Sequence, residues 1–282
     1  MKGRLNMSVN FSVNNNSAAS NILQNLYYVE NQVNTSYSQL SSGNKINNAA
    51  DDPAGYAISQ QMQANVNGLN TAVQNSQNGI SLIQTATGAM QQVGQILQTL
   101  NTLAVEASNG TQNSADLNNL QTEWNDLTTQ ISVINADTQF NTISLFSGTA
   151  LSGITLQIGS AYGQTLVVST NSISLGALGL GSTVGISSLS AAETAISAVN
   201  TAISMLNNYE AQLGSYQDQL NYTISNLQNT ATNLQNAEAT ITNTNMAQAY
   251  TTFTQDQVLT QVGTAMLSQA QQQPAAILKL LS

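Results

Sequence analysis

The chain has 282 residues, 41% of them hydrophobic, which is enough for one or two domains with a buried core. Only 6% of the residues are charged, and 4 basic against 13 acidic side chains give a formal net charge of −9. A phosphate backbone is bound by clustered Lys or Arg, so this composition excludes nucleic acid as a partner. The chain has no His and no Cys, and we therefore expect no enzyme, no metal site and no cofactor.

The N-terminal segment predicts an amphipathic helix and no signal for secretion or membrane insertion. The first residues carry two positive charges without an apolar segment behind them, and Met7 is as plausible a start as Met1, so residues 1–6 would be either an upstream extension or the product of a mis-assigned start. No apolar run approaches the roughly 18 residues that span a bilayer. The helix is expected to end at about Gln39. Its apolar positions, at helical spacing, are Ile22, Leu26, Val29, Val33, Tyr37 and Leu40.

A turn at residues 41–55 leads into a long helix. Asp52 precedes Pro53, which combines a capping side chain with proline at the first helical position, so a helix is predicted over residues 53–108. Asp51 lies directly beside Asp52, and neighbouring residues at a helix start do not converge on one substrate. We therefore interpret this acidic pair as part of the turn and the cap, not as a catalytic or metal-binding pair.

The next helix is shorter and leads into a glycine-rich stretch. It contains Trp124 and is predicted over about residues 114–135. Glycine then recurs through residues 137–189. Two apolar runs in this stretch, residues 154–158 and 165–169, flank a short turn, which predicts a β-hairpin.

The last part of the chain returns to helical spacing. One helix is predicted over residues 188–240, and a final helix over residues 246–272. Pro274 is expected to interrupt the final helix just beyond that range. The apolar stripe of the final helix has gaps. Such a helix is marginal alone and gains order from neighbouring chains.

The apolar stripes of the helices at the two ends of the chain predict how it folds. Two such stripes can pack against each other when the chain folds back on itself in its middle. We therefore predict a mainly α protein, a long antiparallel coiled-coil or helical-bundle rod with a small β-hairpin region and with the N- and C-terminal helices paired. This architecture is typical of a building block.

Several segments together resemble bacterial flagellin, and they cover nearly the whole chain in the order of that family. No single segment is decisive, but the set is specific. The segments are SQLSSGNKI and NNAADDPAG (residues 38–55), NGISLIQTATG (78–88), QTLNTLAVEA (98–107), TQFN (138–141), LQIGSAYG (156–163), LGSYQDQLNYTISN (213–226), and residues 245–249 and 261–281.

The resemblance implies a subunit of the extracellular flagellar filament that self-polymerises for motility and is exported by the flagellar type III apparatus. Residues 7–45 with 240–282 would form a terminal inner helical domain, and residues 46–239 a helical rod domain with the β-hairpin region at about residues 137–189. The glycine-rich stretch is too short for large outer domains, so a minimal flagellin is expected. The implied partners are further copies of the chain, an export chaperone, and cap and junction proteins.

Two sets of candidate site residues follow from the resemblance. The inter-subunit helices would use Ile22, Leu26, Val29, Val33, Val258, Val262 and Met266. The surface that an animal Toll-like receptor binds in many flagellins corresponds to Gln98, Thr99, Leu100, Leu103 and Glu123. The family has a basic residue directly after the Gln, where this chain has Thr99, so we expect weak or absent receptor activation.

Two other interpretations stay open from the sequence. A hook–filament junction protein shares the terminal helices of flagellin, although the segments LQIGSAYG (residues 156–163) and QQPAAILKLL (272–281) favour flagellin. A secreted coiled-coil adhesin would be expected to carry exposed aromatic clusters in its middle, and Tyr162 stands alone there.

Overall fold

The computed structural model describes residues 16–147, 153–181 and 183–281; the predicted extension at residues 1–6 and the alternative start at Met7 lie outside these ranges. The described chain is mainly helical. Its helices are α1 (Ser17–Ser42), α2 (Pro53–Ala107), α3 (Ser114–Asp137), α4 (Leu189–Thr242) and α5 (Met246–Leu281), and its strands are β1 (Gln139–Phe140), β2 (Ile143–Ser144), β3 (Ile154–Gln157) and β4 (Thr165–Val168). The mainly α prediction is confirmed.

Side-chain caps fix the starts of the first three helices. The Asn16 side chain accepts a hydrogen bond from the Ala19 amide at the start of α1. The Asp52 carboxylate accepts from the amides of Ala54 and Gly55 at the start of α2. The α3 helix begins with a reciprocal capping box, in which the Asn113 side chain accepts from the Asp116 amide and the Asp116 carboxylate accepts from the Asn113 amide. Because each cap satisfies amides that have no partner inside the helix, these boundaries follow from local sequence.

The acidic pair has the structural role predicted for it. Asp51 Oδ2 accepts hydrogen bonds from the amides of Asn47 and Asn48, at 2.9 and 3.1 Å. Asp52 is occupied at the start of α2. Both carboxylates therefore hold the turn that leads into α2.

The predicted interruption of the last helix at Pro274 is wrong, because α5 continues to Leu281. A proline inside a helix has no N–H to donate to the carbonyl four residues earlier, here the carbonyl of Ala270. The Asn16 side-chain amide donates to that carbonyl at 2.9 Å. The helix therefore passes through the proline with the released carbonyl satisfied from outside, which sequence spacing could not reveal.

Two antiparallel hairpins follow α3. The predicted hairpin is confirmed as β3 with β4, and Ile154 lies opposite Val168. The sequence analysis missed the smaller pair of β1 with β2. Their turn residues, Asn141 and Thr142, have φ angles of 48° and 65°, which suits the tight turns that match strand twist. The strands of this pair are too short to show alternation.

The chain divides into two compact units. Unit 1 contains the described residues up to Met62 and those from Asn236 onward, and unit 2 contains residues 63–235. The core of unit 2 lies mainly between α2 and α4, which run antiparallel. The buried side chains of these two helices include Leu82, Ile83, Met90, Val93, Leu97, Leu100, Ala195, Val199, Leu206, Leu213 and Leu220. Burial of this stripe stabilises helices that have few charges to pair.

The glycine-rich stretch of unit 2 contributes to the core. Ile173, Leu178 and Ile186 are fully buried although they lie outside helices and strands. The Thr170 hydroxyl donates to the buried Leu145 carbonyl, and Ile186 donates its amide to Gln121 Oε1 at 2.6 Å. These bonds satisfy backbone groups that burial would otherwise leave unpaired.

The β3–β4 hairpin packs where α2 has a glycine. A Cβ placed on Gly79 would collide with Leu156 Cδ1 and would lie 3.2 Å from Leu220 Cδ1. We expect Gly79→Val to lower the free energy of unfolding of unit 2 by about 1–3 kcal/mol, because the branched side chain overpacks this contact. Chemical denaturation followed by circular dichroism measures the change.

Gly88 on the same helix provides the matched control for this substitution. A Cβ on Gly88 would meet nothing within 4 Å. Gly88→Val should therefore change the free energy of unfolding by no more than about 0.5 kcal/mol. Equal losses for the two variants would contradict the packing assigned to Gly79.

None of the helices in the described ranges has a stretch both long and apolar enough to span a bilayer.

Candidate assembly surface

The terminal helices α1 and α5 form the antiparallel pair of unit 1. A Cβ on Gly263 of α5 would lie 3.0 Å from Leu26 Cδ1 of α1. At the other end of the pair, Asn44 and Asn243 form an antiparallel bridge. The Lys45 amide donates to the Thr242 carbonyl at 2.7 Å beside it. The predicted pairing of the N- and C-terminal helices is therefore confirmed.

The α1 members of the candidate inter-subunit set lie on the seam side of the pair. Ile22, Leu26, Val29 and Val33 are each half-buried. Leu26 contacts α5 of the same chain. Part of the apolar surface of these side chains is therefore buried within the molecule, and only the remainder can contact another chain.

The α5 members of that set are open to solvent. Val258, Val262 and Met266 are 57%, 52% and 56% exposed, and they recur every four residues along one side of the helix. We call these three residues the α5 stripe. The α5 stripe is therefore an apolar row that α1 does not cover in the described residues.

Two residues that the sequence analysis did not select extend the apolar surface of unit 1. Tyr27 and Tyr28 of α1 are both largely exposed, and so is Tyr37 further along the same helix. Tyrosine is enriched in protein–protein interfaces because it combines a large apolar ring with a polar tip. Tyr27 and Tyr28 do not belong to the candidate set of α1, which is Ile22, Leu26, Val29 and Val33. Their residue type was therefore the only signal in the sequence that could have identified them.

The candidate receptor-facing residues divide between the surface and the core of unit 2. Gln98, Thr99 and Glu123 are exposed. Leu100 and Leu103 are buried members of the core, which corrects their prediction as surface residues. A partner that approaches this region would therefore meet the three polar side chains and not the two leucines.

The described residues contain no group of three or more His, Cys, Asp or Glu side chains that could hold a metal ion. Glu106, Glu123 and Asp126 are exposed on separate positions of α2 and α3. What the arrangement supplies is paired helices with open apolar faces, the features of a helical structural protein that associates with other chains.

Comparisons with known proteins give the family. The model of the bacterial flagellin N-terminal helical region matches residues 13–150, and that of the C-terminal helical region matches residues 196–281. The chain is 39% identical to a flagellin of Halalkalibacterium halodurans, over 95% of this chain and 99% of the relative. It is 37% identical to a flagellin of Bacillus subtilis and 32% identical to the flagellar filament core protein flaB2 of Brachyspira hyodysenteriae, in both cases over 95% of this chain and 99% of the relative. The chain belongs to the bacterial flagellin family.

Proposed function

We propose that this chain is a structural subunit that polymerises into the extracellular flagellar filament used for motility. The exposed α5 stripe carries the proposal, because it gives a polymerising chain an apolar face to bury. Membership of the flagellin family and the similarity to a filament core protein support the same function. Neither the described residues nor the family matches favour a hook–filament junction protein or a coiled-coil adhesin over it.

We propose that the inner domain of the subunit comprises residues 7–45 and 240–282, with residues 46–239 as the rod domain that carries the hairpin region at about residues 137–189. Two backbone hydrogen bonds support a boundary at this level. Lys45 donates to Thr242, and Thr244 donates to the Gly43 carbonyl at 2.9 Å. The segment that follows α1 and the segment that precedes α5 therefore lie side by side, and these two hydrogen bonds join them.

The remaining partners rest on the resemblance to the family alone. We propose export by the flagellar type III apparatus with a chaperone, and contacts with cap and junction proteins. No described surface identifies a binding site for any of them. The family is a structural filament family, and we propose no catalytic activity.

The α5 stripe can be tested with one substitution and a neighbouring control. We expect Val262→Asp to raise the critical concentration for polymerisation about tenfold or more, because a charge would be buried unpaired between subunits. The measurement is sedimentation and negative-stain microscopy of purified protein seeded with short filament fragments. Long filaments from the unaltered chain would support the function, and persistent monomers would count against it.

Gln261→Asp provides the control for charge itself. Gln261 is an exposed polar residue next to Val262 on the same helix. The control should polymerise at nearly the same concentration as the unaltered chain, since an exposed charge costs little. If both variants fail equally, the effect comes from charge on α5 and not from loss of the apolar stripe.

We propose that recognition by the animal Toll-like receptor is weak in this chain. Thr99 takes the place of a basic residue of the family, and its hydroxyl donates to the Gln95 carbonyl of its own helix. Thr99→Arg should therefore raise the potency of purified, endotoxin-free monomer in a receptor reporter assay, by about tenfold, as expected for one restored interface Arg. Full potency of the unaltered chain would contradict this prediction.

A further inference from the structure

The side chain of Asn16 forms hydrogen bonds with both terminal helices. Asn16 Oδ1 accepts from the Ala19 amide at 3.1 Å and caps α1, while Asn16 Nδ2 donates to the Ala270 carbonyl of α5 at 2.9 Å. Ala270 is buried. The amide group thus uses its acceptor within its own helix and its donor across the pair.

The Ala270 carbonyl differs from the other carbonyls of this helix. In an α-helix each carbonyl accepts from the amide four residues later, and for Ala270 that residue is Pro274, which has no N–H. The chain contains only two prolines, and the other, Pro53, begins α2. Since α5 continues to Leu281, the Ala270 carbonyl lies inside the helix without a donor from its own helix. The position of Pro274 determines which carbonyl this is.

Away from the backbone bridge that joins residues 43–45 to residues 242–244 at the other end of the pair, charge and apolar spacing do little to select one alignment of α1 against α5. Charge cannot select it, because α1 carries only Glu30, and α5 carries only Asp256 and Lys279. Apolar side chains recur every three or four residues on both helices. A slide of one helical turn would therefore pair apolar with apolar again.

We propose that Asn16 and Pro274 together form a register lock that holds the alignment of α1 against α5 at the end of the pair opposite the backbone bridge, with Pro274 exposing one carbonyl and Asn16 binding it. After a slide of one turn, Asn16 would face carbonyls already bonded within α5, and the Ala270 carbonyl would be buried without a donor. Buried polar groups that are satisfied in one alignment only are an established means of specifying helix register. Asn16 is a positioning residue.

The lock has a consequence for assembly that rests on the proposed function. Tyr27 and Tyr28 lie on α1, and the α5 stripe lies on its partner helix. A slide of one turn would displace one apolar surface against the other by about 5.4 Å. Neighbouring subunits in a helical polymer require identical surfaces, so mixed registers would weaken polymerisation.

Introduced cysteine pairs can report the register directly, since the chain has no Cys of its own. Leu26→Cys with Gly263→Cys joins positions that touch in the observed register, where the Gly263 Cβ would lie 3.0 Å from Leu26. Leu26→Cys with Leu259→Cys, or with Leu267→Cys, joins positions that meet only after a slide of one turn. The measurement is the ratio of native to shifted crosslinks in the full chain, as filaments and as monomers under mild oxidation.

Each half of the lock is then removed separately. Asn16→Ser keeps a capping oxygen but is too short to reach Ala270, and Pro274→Ala returns an N–H to α5 so that the Ala270 carbonyl is bonded internally. We expect either variant to lower the ratio about five- to thirtyfold, the factor that corresponds to one buried hydrogen bond. The double variant should be no worse than either single one.

The pattern of the variants decides the outcome. An unchanged ratio in both single variants would overturn the lock, and so would an Asn16→Ser effect of the same size with and without Pro274, which would indicate a capping role only. If the unaltered chain forms no filaments, the proposed function fails, while the ratio in monomers still tests the lock. Native crosslinks with loss of polymerisation in Val262→Asp would separate the surface from the register.

Discussion

A chain without residues 246–282 is expected to form no filaments at concentrations at which the full chain polymerises. The deletion removes the exposed α5 stripe and also the helix against which α1 packs. The α1 helix would then expose Ile22, Leu26, Val29 and Val33 without a partner, and a helix of 26 residues with an unburied seam is marginal in water. Assembly loses both its surface and its support.

The same deletion should leave most of unit 2 folded. Its core is drawn from α2, α3, α4 and the glycine-rich stretch. We expect the helical circular dichroism per residue and the hydrogen-exchange protection of residues 63–235 to persist. The measurements are seeded polymerisation, circular dichroism and hydrogen exchange on the truncated chain, with Gly88→Val as a full-length control.

Either of two results would contradict this prediction. Filaments from the truncated chain would show that α5 is dispensable for assembly. Loss of protection throughout residues 63–235 would show that failure to polymerise comes from unfolding and not from a missing surface.

Local sequence was sufficient to predict the helices because their boundaries have local causes. Asp52 with Pro53 and Asn113 with Asp116 are caps that act within one helical turn. The long apolar stripes of α2 and α4 have the period of a helix and are buried as that period requires. These features can be recognised without knowledge of the partner segment.

The features that the sequence analysis missed have causes distant in the chain. Ile173, Leu178 and Ile186 follow no period, and they are buried in the core cluster that they share with the long helices. The persistence of α5 through Pro274 involves Asn16, which is 254 residues away from Ala270. Spacing in a single sequence carries no signal for contacts of this kind.

The candidate assembly residues were predictable as a class but not one by one. A stripe at helical spacing identifies an apolar face, and it does not tell whether the same chain or another chain covers that face. The structure divides the set accordingly: Leu26 lies against Gly263 of its own chain, while Val262 is half exposed. Leu100 and Leu103 were predicted as surface residues from the resemblance to flagellin, and the structure buries both in the core of unit 2.

Trp124→Ala is expected to lower the free energy of unfolding of unit 2 by about 3–5 kcal/mol, the range for truncation of a large buried aromatic side chain. Trp124 is 2% exposed. It lines a groove on α3 together with Leu175, Leu180 and Val184 of the glycine-rich stretch. Removal of the ring leaves these side chains without a packing surface, so the stretch should lose protection from hydrogen exchange before the long helices do.

Val133→Ala on the same helix is the matched control, because Val133 is exposed and its truncation should cost less than about 1 kcal/mol. Trp124 is the only tryptophan, so unfolding has to be followed by circular dichroism in urea and not by tryptophan fluorescence. A loss below 1 kcal/mol for Trp124→Ala would mean that the glycine-rich stretch does not depend on α3. A large loss confined to that stretch would instead show that the irregular segment, although it lacks regular secondary structure, depends on the Trp124 ring in addition to its own buried side chains.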